Sequence, residues 1–267
     1  MTLELALAQM DVAWHDRSAN HDTARRLSVQ AETSGCRAVV LPEMFSTGFS
    51  MDTSVTAEPL SGPTPAFLRS LAGDTGLWVT GGFALARDHE PPWNAALSVG
   101  PDGRDIALYT KIHLIGLLDE DRHYGPGELP VPFDMGGVRT ACFICYDLRF
   151  PELFRCVAAE CDLILVIASW PQPRRAHWDA LLQARAVENQ CYVAGVNRVG
   201  QGGGQAFAGG SVILGPLGDP LARAGDGEAL ISAGIDPEVV ARVRKEFPFL
   251  RDRRRRLFER AAACCTS

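Results

Sequence analysis

The sequence predicts an α/β fold in which helices cover β-sheets. Two patterns carry this reading. Helix-period and strand-period segments alternate in parts of the chain, and strand-like runs elsewhere follow one another across a turn. Composition agrees, since 267 residues at 46% hydrophobic can bury a large core. No Ser/Pro/Gly linker or repeat divides the chain. One domain over 1–267 is therefore expected, with a basic tail from about 247.

The elements follow in order. Residues 3–8 read as a strand, 20–33 as a helix and 38–41 as a buried strand. A helix is expected over 65–72, with Ser61 or Thr64 as its cap. Strands are expected over 77–86 and 94–99. The turn signal Pro101-Asp102-Gly103 joins 94–99 to 104–109 as a hairpin. A strand over 138–145 precedes a helix over 151–159 that has Pro151 at its first position. Residues 163–168 form a buried strand and 176–189 a helix. Strands at 192–196, 211–214 and 229–235 precede a helix opened by Asp236-Pro237-Glu238 and running to about 245. The glycine-rich segment 200–210 lacks the Gly-Lys-Ser/Thr of a phosphate loop and reads as a mobile loop.

Charge and composition exclude several classes. The net charge of −6 gives no case for nucleic acid. The basic tail, including Arg253-Arg254-Arg255-Arg256, reads as a solvated face or terminal arm. No run approaches transmembrane length, and Met1-Thr2-Leu3-Glu4 does not resemble a signal peptide. The eight cysteines lack the spacing of a disulfide scaffold, so a reducing cytoplasm is expected. Cys264-Cys265 reads as a vicinal pair without function.

Three reactive residues lie at or just past strand ends, where loops of layered α/β folds collect function: Glu43, Lys111 and Cys145. Lysine is rare here. Of twenty-six basic residues, Lys111 and Lys245 are the two lysines, so Lys111 marks a position where the planar fork of arginine cannot substitute. Cys145 leaves a buried strand, turns sharply and enters a helix, as in a nucleophile elbow. A helix N-terminus and a nearby lysine favour its thiolate. Glu43 then serves as general base, while Lys111 and the Tyr146 N–H hold an oxyanion. Cys142 and Cys145 form a C-x-x-C, but no second pair completes a zinc site, and Cys142 reads as a small core residue.

The blocks Leu-Pro-Glu43-Met-Phe, Tyr-Thr-Lys111-Ile-His-Leu and Ile-Cys145-Tyr-Asp-Leu-Arg-Phe-Pro-Glu resemble the Glu-Lys-Cys signature of the nitrilase superfamily of carbon–nitrogen hydrolases. The residues after Cys145 are similar to the amidase-like branches. Asp119-Glu120-Asp121-Arg122-His123-Tyr124, Ser169-Trp170-Pro171-Gln172-Pro173-Arg174, His177-Trp178 and 183–189 resemble bacterial omega-amidases, which hydrolyse the terminal amide of 2-oxo acid amides. One departure is Ser169, where many relatives place asparagine.

The resemblance implies a four-layer α-β-β-α sandwich, a thioester intermediate, no metal or organic cofactor, and a homodimer built on the helices near 151–160 and 176–190. It also implies a second glutamate near the site, matched by Glu120. A substrate carboxylate remote from the scissile amide requires a cation. Arg149 is the first candidate and Arg174 the second. Arg149 could instead pair with Asp147 or Glu152. Trp170 is either a pocket wall or core. Arg185 and Glu188 read as a helix pair, and His113 as satisfying a backbone group. Two other functions stay open: hydrolysis of a carbamoyl compound or deaminated glutathione, and a non-catalytic scaffold.

Overall fold

The structure, a computed structural model, describes residues 2–254 and Leu257. Two β-sheets face each other across its centre. The first runs through Ala229–Ile235, Leu3–Gln9, Ala38–Val40, Trp78–Arg87, Glu90–Val99 and Asp105–Thr110, with the short Ala57–Glu58 strand also paired to Trp78–Arg87. The second runs through Pro220–Arg223, Val212–Leu214, Tyr192–Asn197, Leu163–Ala168, Val138–Ile144 and Phe133–Met135.

The two-residue period of a strand lets one sheet serve two cores. Leu3, Leu5 and Leu7 enter the core shared by the sheets, while Ala6 and Ala8 enter a core beneath helices. Ala38 and Val40 face inward in the same way, with Val39 and Leu41 outward. Helices Arg17–Thr33 and Pro63–Thr75 cover the first sheet; Pro151–Val157 and Arg175–Asn189 cover the second. Each long helix buries one stripe: Ala24, Leu27 and Ala31 in the first, Trp178, Leu182 and Ala186 in the last. The result is the expected four-layer α-β-β-α sandwich. Among the described residues no helix is long and apolar enough to cross a membrane.

Strands Leu3–Gln9, Ala38–Val40 and Trp78–Arg87 are mutually parallel, as are Val138–Ile144, Leu163–Ala168 and Tyr192–Asn197. Asp105–Thr110 lies two antiparallel pairings from Trp78–Arg87 and so points the same way. Carboxyl ends therefore gather along one edge.

Four expectations need correction. The strand placed at 94–99 begins at Glu90, and its hairpin with Trp78–Arg87 was hidden by Pro91-Pro92, which argue locally against a strand. The helix placed at 65–72 is Pro63–Thr75, and neither Ser61 nor Thr64 caps it. Gly62 is the N-cap residue, and the Glu58 carboxylate accepts the orphan Thr64 N–H at 2.7 Å. The glycine-rich 200–210 is not an open loop. Val199–Gly202 pairs with Gln205–Ala208, and Gly209 and Gly210 pass so close to Gln9 and Arg175 that a side chain at either would collide. Finally, the described part of the basic tail folds back on the body: Phe247 O accepts from Gln190, and Arg253 donates to Arg155 O. Arg255, Arg256 and the Cys264-Cys265 pair lie outside the described residues.

Candidate active site

Each reactive residue is set by a local backbone device at the gathered strand ends. Past Ala38–Val40 the chain stays tied to the neighbouring strand, with Gly82 N–H donating to Pro42 O and Phe45 N–H to Gly82 O. A Cβ at Gly82 would lie 2.7 Å from Met44 N and 2.8 Å from the Glu43 Cα, so glycine permits this crossing. Lys111 follows Asp105–Thr110, and its N–H donates to Asn94 O at 2.8 Å. Cys145 opens the 3-10 turn Cys145–Arg149 with a φ of 45°, the left-handed conformation of a strained elbow.

The buried carboxylate of Asp147 joins the lysine and cysteine segments. Its Oδ2 accepts from Tyr109 OH at 2.7 Å and from Ile144 N–H at 3.2 Å. Its Oδ1 accepts from His113 N–H at 3.0 Å and lies 3.1 Å from His113 Nδ1. The partner of His113 is thus a carboxylate, not the expected backbone group. Arg185 forms the expected pair with Glu188 and also donates to Leu148 O at 2.7 Å, bracing the elbow from behind.

The structure brings Glu43, Lys111, Glu120 and Cys145 together. Lys111 Nζ lies 3.1 Å from Glu43 Oε1 and 2.8 and 2.9 Å from the two Glu120 oxygens, with all three side chains buried. Glu120 sits apart from its exposed acidic neighbours Asp119 and Asp121, accepting also from the Ile115 N–H at 2.8 Å. Glu43 Oε2 accepts from the Ser169 N–H at 2.8 Å. Burial opposes the Lys111 charge, but the Glu120 and Glu43 carboxylates outweigh it and hold the pKa above the ordinary lysine value.

Cys145 departs from the expected thiolate. Burial and then the Glu43 charge push its thiol pKa well above the usual cysteine range, against the opposing pull of Lys111. Two carboxylates sharing one ammonium leave that opposing pull too weak. Surroundings that favour the thiol call for a base that takes the proton as the sulfur attacks.

Beside the sulfur lies a narrow pocket lined by Lys111, Cys145, Tyr146, Arg149, Trp170 and Arg174, with Phe49, Ile115 and Leu118 as apolar walls. Trp170 is both core and wall: its N–H groups are held by Asn197 Oδ1 and Arg174 O, and the Arg149 guanidinium carbon stands 4.8 Å from its ring centroid. Arg149 forms neither of the ion pairs considered from sequence, because Asp147 is committed to Tyr109 and His113; its polar neighbour is His177 Nδ1 at 3.4 Å. Arg174 Nη2 is buried without a hydrogen-bond partner among the described residues. The glycine-rich hairpin buttresses this wall through a Pro171–Phe207 bridge and an Arg175 bond to Ala208 O.

The sequence reading missed Asn94, Asp147 and the contact role of Ser169. Asp147 stood inside the quoted cysteine block, so its position was available. Asn94 had no local signal beyond a polar residue in an apolar strand.

A buried carboxylate–lysine cluster beside a cysteine elbow, at the edge of an α-β-β-α sandwich, defines a class of hydrolase. The Carbon-nitrogen hydrolase family model matches residues 4–245, and the chain belongs to that family, within the nitrilase superfamily. Among individual proteins, it is 32% identical over 260 residues to 2-oxoglutaramate amidase of Bacillus subtilis (strain 168), covering 97% of this chain and all of that one. It is 39% identical over 254 residues to Omega-amidase YafV of Yersinia enterocolitica, covering 94% and 96% of the two chains. The crystal structure of XC1258 from Xanthomonas campestris, a CN-hydrolase superfamily protein with an arsenic adduct in its active site, superposes with a TM-score of 0.90 at 34% identity, covering 95% and 97%. A double mutant of the amidase from Nesterenkonia sp. AN1 in complex with acrylamide gives a TM-score of 0.88 at 28% identity, covering 97% of each chain.

Proposed function

We propose that this enzyme is a cysteine amidase that hydrolyses the terminal amide of a small 2-oxo dicarboxylic acid monoamide, such as 2-oxoglutaramate or 2-oxosuccinamate, to the acid and ammonia. One observation carries the reading. Two guanidinium groups, Arg149 and Arg174, line the pocket that holds Cys145, and among the described residues neither pairs with a carboxylate. An unpaired, partly buried cation beside a nucleophile suits a substrate that brings its own carboxylate. The names of the omega-amidase relatives point the same way.

The chemistry follows from the cluster. Cys145 Sγ attacks the amide carbonyl as its proton passes to Glu43. Lys111 directs one N–H to Glu43 and shares one across Glu120, leaving a third for the oxyanion together with the Tyr146 N–H. Glu43 returns the proton to nitrogen as the C–N bond breaks, so ammonia leaves and a thioester remains. Water attacks the thioester, giving its proton to Glu43; the carboxylic acid departs and the sulfur regains its proton.

The reading includes a cytoplasmic homodimer assembled through the helices near 151–160 and 176–190, where Val187 is exposed. Light scattering of the purified protein tests that part. The catalytic reading is tested by ammonia release across 2-oxoglutaramate, 2-oxosuccinamate, glutamine and simple nitriles. The two 2-oxo amides should lead, and a preference for glutamine or a nitrile would overturn the substrate assignment.

A further inference from the structure

Asn94 lies inside the Glu90–Val99 strand with no exposed surface. Its Nδ2 donates to two carboxylates at once, Glu43 Oε1 at 2.7 Å and Glu120 Oε1 at 3.0 Å. Lys111 Nζ donates to the same two oxygens. Two donors and two acceptors close a ring. The Asn94 carbonyl also accepts the Lys111 N–H, so one residue fixes the backbone of the lysine and both of its counter-ions. The amide orientation is dictated by its neighbours, since a carbonyl turned toward two carboxylates would be repelled.

Packing does not explain this residue. Among the described residues Asn94 Oδ1 is buried without a partner, and an aliphatic side chain of similar size would fill the space without that desolvation cost. Charge does explain it. Two carboxylates and one ammonium leave one negative charge in the cluster. A second cation would cancel that charge and weaken Glu43 as a base, whereas a neutral amide supplies two hydrogen bonds and leaves it intact.

The two Glu43 oxygens are therefore unlike. Oε1 is held by Asn94 and Lys111. Oε2 accepts from the Ser169 N–H at 2.8 Å, and Ser169 lines the same pocket as Cys145. We infer that Asn94 is a positioning residue that, with Lys111, pins Glu43 Oε1, so that Oε2 takes the Cys145 proton and returns it to the leaving nitrogen. In the attacking step the S–H bond breaks, an O–H bond forms at Oε2, the sulfur bonds to carbon, and the carbonyl pair moves onto oxygen. The inference rests on Glu43 being the base of the proposed amidase reaction.

The experiment compares wild type, Asn94→Leu, Asn94→Ser and Glu43→Gln. For each, thermal melting, kcat and KM for 2-oxoglutaramate are measured, with the rate of Cys145 alkylation by iodoacetamide followed by mass spectrometry. Alkylation requires the same proton to leave without any bound substrate. Asn94→Leu should melt near wild type, keep KM within about twofold, and lose about tenfold to a hundredfold in both kcat and alkylation rate, the size of effect expected from a misplaced base. Asn94→Ser keeps one donor and should show the same pattern, more weakly, even if the leucine variant does not fold. Wild-type alkylation and kcat in a folded Asn94 variant overturn the inference, as does a change confined to KM. Fast alkylation of Glu43→Gln would instead remove the underlying reading of Glu43 as base. Slow Glu43→Gln with fast Asn94→Leu removes the Asn94 inference alone.

Discussion

The floor and the wall of this pocket are built on opposite plans. In the floor, Lys111, Glu43, Glu120 and Asn94 are buried and bonded to one another across four separate segments. In the wall, Arg149 is partly exposed beside Trp170, and Arg174 carries a nitrogen with no hydrogen-bond partner among the described residues. The difference teaches how labour is divided. A closed, mutually satisfied cluster holds reacting groups in one geometry for any substrate. A wall with unspent donors waits for a ligand and selects among substrates. Changes in the floor should therefore lower turnover on every amide, and changes in the wall should alter which amide is used.

The largest expected effect lies at the nucleophile. Cys145→Ala should abolish ammonia release from all amides. Cys142→Ala should keep most of it, because Cys142 sits buried within its strand. Wild-type release from Cys145→Ala would end the proposed mechanism. Next comes Lys111→Arg. The Nζ makes contacts with both glutamates in a buried space that a planar fork does not fit. Turnover should fall by about two orders of magnitude or more, near the loss of one oxyanion donor. Retention within severalfold would show that the floor tolerates a different cation.

Arg149→Lys tests the wall. It keeps the charge and loses the fork, so about 1.5–3 kcal/mol of a charge-assisted contact should disappear, roughly tenfold to a hundredfold in kcat/KM. The loss should be large for 2-oxoglutaramate and small for an uncharged amide of similar length. Equal losses on both substrates would transfer the carboxylate-binding role to Arg174. The smallest effect is expected from Tyr109→Phe, which removes one of the donors to Asp147. Thermal unfolding should show a loss of about 1–3 kcal/mol from the weakened buried network, with turnover within severalfold of wild type. A collapse of activity at unchanged stability would move Tyr109 from the scaffold into the floor.

The contrast also explains what the sequence reveals. Glu43, Lys111 and Cys145 each follow a strand-like run within a short quotable block, so local pattern finds them. Glu120 stands in a run of three acids and is separable from Asp119 and Asp121 through family resemblance alone; burial is what distinguishes it in the structure. Asn94 is 51 residues from Glu43 and 26 from Glu120, and its importance exists only through pairings at that range. The adjacent Pro91-Pro92 further disguised its strand as beginning at 94, placing an interior residue at an apparent end. Layers and most strands were legible because their periodicity is local. The hairpin within 200–210 was not, since glycine runs carry no side-chain period.

Two carboxylates sharing one lysine beside Cys145 disfavour its thiolate, and this bears on its exposure to peroxide. Peroxide attacks thiolates, and low-pKa cysteines are the ones driven toward sulfenic and sulfinic acids. A nucleophile whose surroundings favour the protonated form spends less time in the vulnerable one. The same burial and carboxylate charge that demand a base for catalysis thus shield the sulfur between turnovers. Activity should outlast peroxide doses that inactivate enzymes resting as thiolates, and rapid sulfinic acid formation at Cys145 would contradict the protonated resting state.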